Sequence, residues 1–314
     1  MADEIGPLDP YLSRLWISMR EKAEGGKIRS PGRFSDEPYA LARRECVLLV
    51  HGYNNQEAAA QEAYRGFRTR QRKLAKYSDP SVFEHVLADA FWPGDADWGF
   101  VDWADALFYP VAVGNAKRAG EELAAVIARM VQLQRISFVA HSLGCRVVLE
   151  ALMHMRTRAM PVVERVLLMA AAVPTEMLEQ GGRLYETMTT MQARGTRFHV
   201  LHSSRDRVLQ LSFPVGQSAA GPSEASDVGA LGRVGPTPSM PGASSGQLTG
   251  EPIASAGHSH YWGHKEKKPT RRAARAIADF LRLTPVSRAL VSPREIAEES
   301  EPGPSRDVGV RRSV

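Results

Sequence analysis

From residue 45 onward the apolar positions alternate between short continuous runs and longer stripes at helical spacing. "CVLLVHGYNN" (46–55) opens on a continuous apolar run and ends in a turn, the form of a strand buried on both faces. The next segment carries Ala60, Ala63, Tyr64 and Phe67 at helical spacing, which predicts an amphipathic helix. "HVLADAFWPGD" (85–95) predicts a strand stopped by Pro93 and Gly94, followed by an aromatic connection, "WGFVDWADALFYP" (98–110). A helix follows, with Ala119, Leu123, Val126, Ile127 and Met130 on one face. "ISFVAHSLGCRVVLEAL" (136–152) predicts a strand to Ala140 and a helix from Ser142 onward. "RVLLMAAAVP" (165–174) and "RFHVLHS" (197–203) add two strands, with helical material such as "LYETMTTMQARG" (184–195) between them. The last predicted helix is "RRAARAIADFLRL" (271–283), with Ala273, Ile277, Phe280 and Leu281 on one side.

Strand and helix in alternation, with continuous apolar strands, predict an α/β fold. The sheet is mostly parallel, doubly wound and covered by helices on both faces. Three segments stand outside the pattern. Residues 1–44 read as an N-terminal segment packed on or preceding the core; there "YLSRLWISMREK" suits a strand or an amphipathic helix, and "EGGKIRSPGRFSDEP" reads as loop. Within the main domain, 45–283, residues 212–256 are rich in Gly, Ser, Pro and Ala and read as a long insert, functional or mobile. The tail, 284–314, mixes Pro, Ser and charge with few large apolar residues and reads as disordered.

Composition changes this picture little. With 43% hydrophobic and 24% charged residues, 314 residues can bury a sizeable core. The net charge of +5 comes with short basic clusters at 65–73 and 264–275, which lack interleaved aromatics and read as solvated helix faces, so no nucleic-acid partner is expected. Cys46 and Cys145 fall inside apolar runs, which favours buried thiols in a reducing compartment. The acidic start "MADEIGPLDPYL" lacks the apolar run of a signal peptide, and no stretch reaches the length of a membrane span. A cytoplasmic location is the expectation.

The chemistry concentrates at 140–144. Ser142 sits where a strand turns sharply into a helix, with Ala140 and Gly144 relieving the crowding on either side. Such a turn aims the hydroxyl outward at a helix N-terminus, where developing negative charge is favoured, and the Leu143 N–H is one oxyanion donor. An N-cap serine is the plain alternative, but it needs no small residues at both positions. "HGYNN" (51–55) follows the first buried strand; Gly52 allows close backbone approach and the Tyr53 N–H is the second oxyanion donor. A serine nucleophile needs a base held by an acid, expected downstream in the order acid, then histidine. Asp206, in the polar turn after "FHVLH", is the candidate acid, against a plain surface aspartate paired with Arg205 or Arg207; Glu176 is held in reserve. "GHSHYWGH" (257–264) supplies the candidate base, His258 ahead of His260. Its spacing matches no zinc pattern, so neither a metal nor another cofactor is expected. His51, Asn54, His141, Trp98, Trp103 and Phe108 are possible substrate-pocket residues, with an apolar acyl or alkyl group as their partner if the aromatics line the site. Packing against the core is the equal alternative for those aromatics.

Taken together, "VHGYNN", "AHSLGCR", "SSRDRVL" and "GHSHYW" resemble the α/β-hydrolase superfamily, over about residues 40–283. Within it the chain is similar to a bacterial group of serine esterase- or lipase-like proteins without an assigned substrate. The resemblance implies a Ser142–His258–Asp206 triad acting by acyl-enzyme chemistry on a small-molecule ester. Ala140 replaces the first glycine of the family's G-x-S-x-G pattern, a tolerable methyl. The insert at 212–256 is a second departure, with the character of a mobile lid. The competing reading is a non-catalytic protein of the same fold that binds a partner or ligand through its cleft and insert.

Overall fold

Each continuous apolar strand needs cover on both faces, and the fold supplies it. The structure is a computed structural model and describes residues 15–22, 27–53, 56–75, 86–94, 104–157, 161–219, 229–263 and 267–281. Its strands are β1 (Trp16–Arg20), β2 (Ile28–Phe34), β3 (Glu45–Val50), β4 (Leu87–Phe91), β5 (Arg135–His141), β6 (Val162–Met169), β7 (Arg197–His202) and β8 (Leu248–Pro252). They form one sheet in the order β2-β1-β4-β3-β5-β6-β7-β8, parallel throughout except for β2, which runs antiparallel to β1.

The helices are α1 (Glu37–Leu41), α2 (Glu57–Ala75), α3 (Ala104–Arg129), α4 (Gly144–Met155), α5 (Tyr185–Ala193), α6 (Arg207–Ala219), α7 (Leu231–Val234) and α8 (Lys268–Leu281), with 3-10 turns at Thr175–Leu178 and His258–His260. The expected helical stripes are the buried ones: Ala60, Ala63, Tyr64 and Phe67 of α2, and Ala119, Leu123, Val126 and Ile127 of α3, are all in the core. In β3 every residue from 46 to 50 is buried, so neither face of that strand meets water. α2 and α8 pack on one another, with the Gln71 side chain donating to the Ala274 carbonyl at 3.1 Å. α3 and α4 form the other large helix pair, and they press close enough that a methyl on Gly120 would lie 2.4 Å from Glu150 Cβ.

The N-terminal segment corrects the sequence reading in part. "WISMR" is a strand, and so is "IRSPGRF", where Pro31 and Gly32 signalled a loop. That stretch is the sheet's edge, half exposed, where a proline costs no ladder hydrogen bond and the hairpin with β1 supplies the pairing. The Gly/Ser/Pro-rich stretch 212–256 is also more than a loop. It holds the end of α6, then α7, then β8 with its pairing to β7. Its abundant turn residues masked a five-residue edge strand. Likewise the aromatic connection is shorter than expected, since α3 already begins at Ala104. The tail beyond residue 281 lies outside the described residues.

One lateral row shows how the sheet aims the chemistry. Ala90, Val50, Ala140, Leu168, Val200 and Gly250 pair successively across β4, β3, β5, β6, β7 and β8. The strands' carboxyl ends therefore come out level, and the segments that follow β3, β5, β7 and β8 share one edge.

Candidate active site

The β5–α4 turn is strained by design. Ser142 has φ +53°, a left-handed conformation that non-glycine residues avoid, and it is held there from both sides. Its N–H donates to the Met169 carbonyl at 2.9 Å, and its own carbonyl accepts from Ala172 N–H at 3.1 Å. The tightness explains the small neighbours. A methyl on Gly144 would lie 2.2 Å from the His51 carbonyl oxygen, and one on Gly52 would lie 2.8 Å from Ser142 Cβ. Ala140 is fully buried and its methyl fits between its neighbours Val50 and Leu168.

Three of the expected residues converge on that turn. His258 Nε2 lies 2.8 Å from Ser142 Oγ, and His258 Nδ1 lies 2.8 Å from Asp206 Oδ2. An ionised carboxylate only accepts, so Nδ1 carries the ring proton toward Asp206 and Nε2 is left to accept from the serine O–H. Asp206 has no accessible surface, which removes the surface-aspartate alternative. Its other oxygen, Oδ1, accepts from the Leu209 N–H at 3.1 Å and so caps α6. One carboxylate thus both ends a loop and holds an imidazole.

Asp206 and Ser142 are both buried, Ser142 at 7% exposure, and the histidine between them is the most open of the three. Asp206 is 0% exposed and the His258 side chain 18%. Water does not reach the acid.

The remaining candidates divide. Leu143 is the residue that opens α4, and no acceptor faces its N–H among the described residues. Tyr53 sits half-buried after Gly52, in the loop against Ser142. His260 is not directed at Ser142; its Nδ1 accepts from the Gly257 N–H at 2.7 Å and stabilises the turn that presents His258. Glu176 is exposed on the 3-10 turn after β6, and the imidazole Nδ1 is taken by Asp206. His51, a possible pocket residue by sequence, has no accessible surface and is packed inside the fold. Its Nδ1–H donates to the Gly52 carbonyl at 2.9 Å, and its Nε2 accepts from the Trp92 N–H at 3.3 Å. Asn54, Trp98 and Trp103 lie outside the described residues, and Phe108 is placed in α3 without a described side chain.

Sequence reasoning missed the scaffold behind His51. The His51 N–H donates to the Tyr64 hydroxyl at 2.8 Å, and that hydroxyl donates to the Ala90 carbonyl at 2.6 Å. The Trp92 indole N–H donates to the His51 carbonyl at 2.8 Å and the two rings stack at 5.6 Å. Burial pushes the Tyr64 phenol well above its ordinary pKa, and the nearby Asp89 carboxylate adds to it, so the hydroxyl keeps its proton. Tyr64 reads from the sequence as one more core aromatic of α2; only the pairing of β3 with β4 gives its hydroxyl a task.

A groove of about 410 Å³ opens beside β7 and β8, lined by His202, Val234, Pro236, Pro238 and Leu248, and it shares no residue with the Ser142 cluster. Among the described residues no three His, Cys, Asp or Glu side chains converge as a metal ion would need, and no helix is long and apolar enough to cross a membrane.

A parallel sheet flanked by helices, with a strained serine turn at a strand's carboxyl end, defines the class: this is an α/β hydrolase. The chain belongs to the family described as alpha/beta hydrolase of unknown function (DUF900), whose profile matches residues 37–222. No curated protein matches it in sequence. Among solved structures it is similar to an uncharacterized protein from Bacillus cereus ATCC 10987, at 13% identity and a TM-score of 0.41, over 84% of this chain and 65% of that one. It therefore spans just under two thirds of that relative. An esterase from Pyrobaculum calidifontis matches at 13% identity and a TM-score of 0.39, over 76% of this chain and 75% of that one. A thermostable carboxylesterase cloned from a metagenomic library matches at 12% identity and a TM-score of 0.39, over 77% and 81%.

Proposed function

We propose that this hydrolase cleaves a carboxylic ester through an acyl-enzyme on Ser142. The observation that carries the reading is the unbroken hydrogen-bond chain from Ser142 Oγ through His258 to the buried Asp206. In the first half-reaction Ser142 Oγ attacks the ester carbonyl carbon while its proton passes to His258 Nε2. Asp206 holds the imidazole by its Nδ1–H and stabilises the imidazolium. The carbonyl oxygen, now an oxyanion, rests on the N–H groups of Leu143 and Tyr53. Collapse breaks the ester C–O bond, and the leaving alkoxide takes the proton from His258 and departs as an alcohol. Water then attacks the acyl carbon, gives its proton to His258, and the second collapse returns that proton to Ser142 as the carboxylic acid leaves.

An ester is preferred to an amide by analogy, as the commonest substrate class of this fold. The test uses a fluorophosphonate probe and p-nitrophenyl esters of graded acyl length. Wild type is expected to label and turn over, and Ser142→Ala to do neither. An unlabelled wild type, or equal labelling of Ser142→Ala, would favour a ligand-binding role for the cleft instead.

A further inference from the structure

The residue before the nucleophile has a contact that the proposed chemistry does not use. His141 Nε2 lies 2.8 Å from the backbone carbonyl oxygen of His258, 117 residues away. A carbonyl accepts, so Nε2 carries the hydrogen and donates it. The ring is 5% exposed and its centroid lies 4.9 Å from that of His258. Tyr261 and Trp262 close the same pocket, with ring centroids 6.1 and 5.9 Å from His141. On its other side the ring meets the loop after β3: a methyl on Gly52 would lie 3.1 Å from His141 Nδ1.

We infer that His141 is a positioning residue that ties the base to the nucleophile's own strand. This rests on the serine hydrolase reading above. His258 belongs to a three-residue 3-10 turn after an edge strand, and its side chain must satisfy Asp206 and Ser142 at once. The turn's own backbone hydrogen bond, from the His260 N–H to the Gly257 carbonyl, is local and does not tie it to the sheet. The hydrogen bond from His141 fixes it against β5, the strand that carries Ser142. Because the same ring abuts Gly52, it also sets the spacing to the loop proposed to bear the Tyr53 donor. His141 thereby holds nucleophile, base and oxyanion loop in register without touching a reacting atom.

The role predicts a defect in rate rather than in affinity. His141→Leu keeps the bulk and loses the donor. His141→Gln places an amide N–H near the position of Nε2, and His141→Asn is too short to reach the His258 carbonyl. Each variant is assayed for the second-order rate of fluorophosphonate labelling, for kcat and KM on the best p-nitrophenyl ester, and for thermal unfolding. Labelling and kcat should fall about 10-fold to 100-fold in His141→Leu and His141→Asn with KM within about 2-fold, as misplacement of a base by a fraction of an ångström implies, and His141→Gln should recover most of the loss. If His141→Leu does not fold, the comparison of Gln with Asn decides the matter. Labelling of the donorless variants at the wild-type rate, or a Gln variant as slow as Asn, would overturn the inference while leaving the hydrolase reading intact. A wild type that does not label at all would end both.

Discussion

Gly144 lies directly beneath the backbone of His51: a methyl at position 144 would approach the His51 carbonyl oxygen to 2.2 Å and the Val50 carbonyl oxygen to 2.8 Å. Val50 ends β3, which is paired on both sides, and His51 follows it directly, so the backbone there has little room to step back. Gly144→Ala should therefore cost about 1–3 kcal/mol or more in urea unfolding, the range of an overpacked core. It should also slow labelling of Ser142, because any relief must push α4 and the serine turn away from the loop at 51–53. A variant as stable and as reactive as wild type would mean that the turn is looser than its geometry implies.

The backbone of Ser142 supplies a second, independent test. A left-handed φ costs an alanine or serine about 1–2 kcal/mol relative to glycine. Both Ser142→Ala and Ser142→Gly should be inactive, yet Ser142→Gly should unfold at higher urea by about 1 kcal/mol. Equal midpoints would show that the turn at +53° is unstrained.

The two oxygens of Asp206 can be separated by substitution. Asparagine still caps α6 through the Leu209 N–H, so Asp206→Asn should stay close to wild type in thermal stability. Its activity should fall on the order of 10⁴-fold, since an amide in place of the carboxylate favours the wrong tautomer of His258. Asp206→Ala loses the cap as well and should cost about a further 1 kcal/mol. Retained turnover in Asp206→Asn would remove this residue from the proposed relay.

Alkali should destabilise the fold. Burial pushes the Cys46 thiol from 9.0 up to about 12, and the Cys145 thiol further still. The Tyr64 and Tyr261 phenols are likewise raised by burial, with the Asp206 charge adding at Tyr261. A group whose proton is held more tightly in the folded state stabilises it fully below the unfolded pKa, and that contribution is lost as pH rises through the window above it. The urea midpoint should thus be flat near neutrality and drop steadily above about pH 9. In the same preparation, Ellman's reagent should find both cysteines, free and buried, only after denaturation. Rapid native reaction of either thiol would show that its helix or strand opens.

Much of this protein is determined by short-range sequence alone. The continuous run at 46–50, the stripe of α2 and the small residues around Ser142 specify a doubly wound sheet with a serine at one strand's end, because periodicity and side-chain volume are local properties. The order serine, acid, histidine narrows the partners to Asp206 or Glu176 and to one of two histidines. What lies between those histidines is a matter of a single turn: His258 and His260 are two residues apart, and only the 3-10 geometry sends one ring to Ser142 and bends the other back to the Gly257 N–H. Tertiary structure also decided that His51 is scaffold and that Glu176 faces water. It made strands of "IRSPGRF" and "LTGEP", whose prolines and glycines read as turns. Edge strands take their identity from a neighbour's unpaired hydrogen-bonding groups, and that neighbour is found only when the chain has folded.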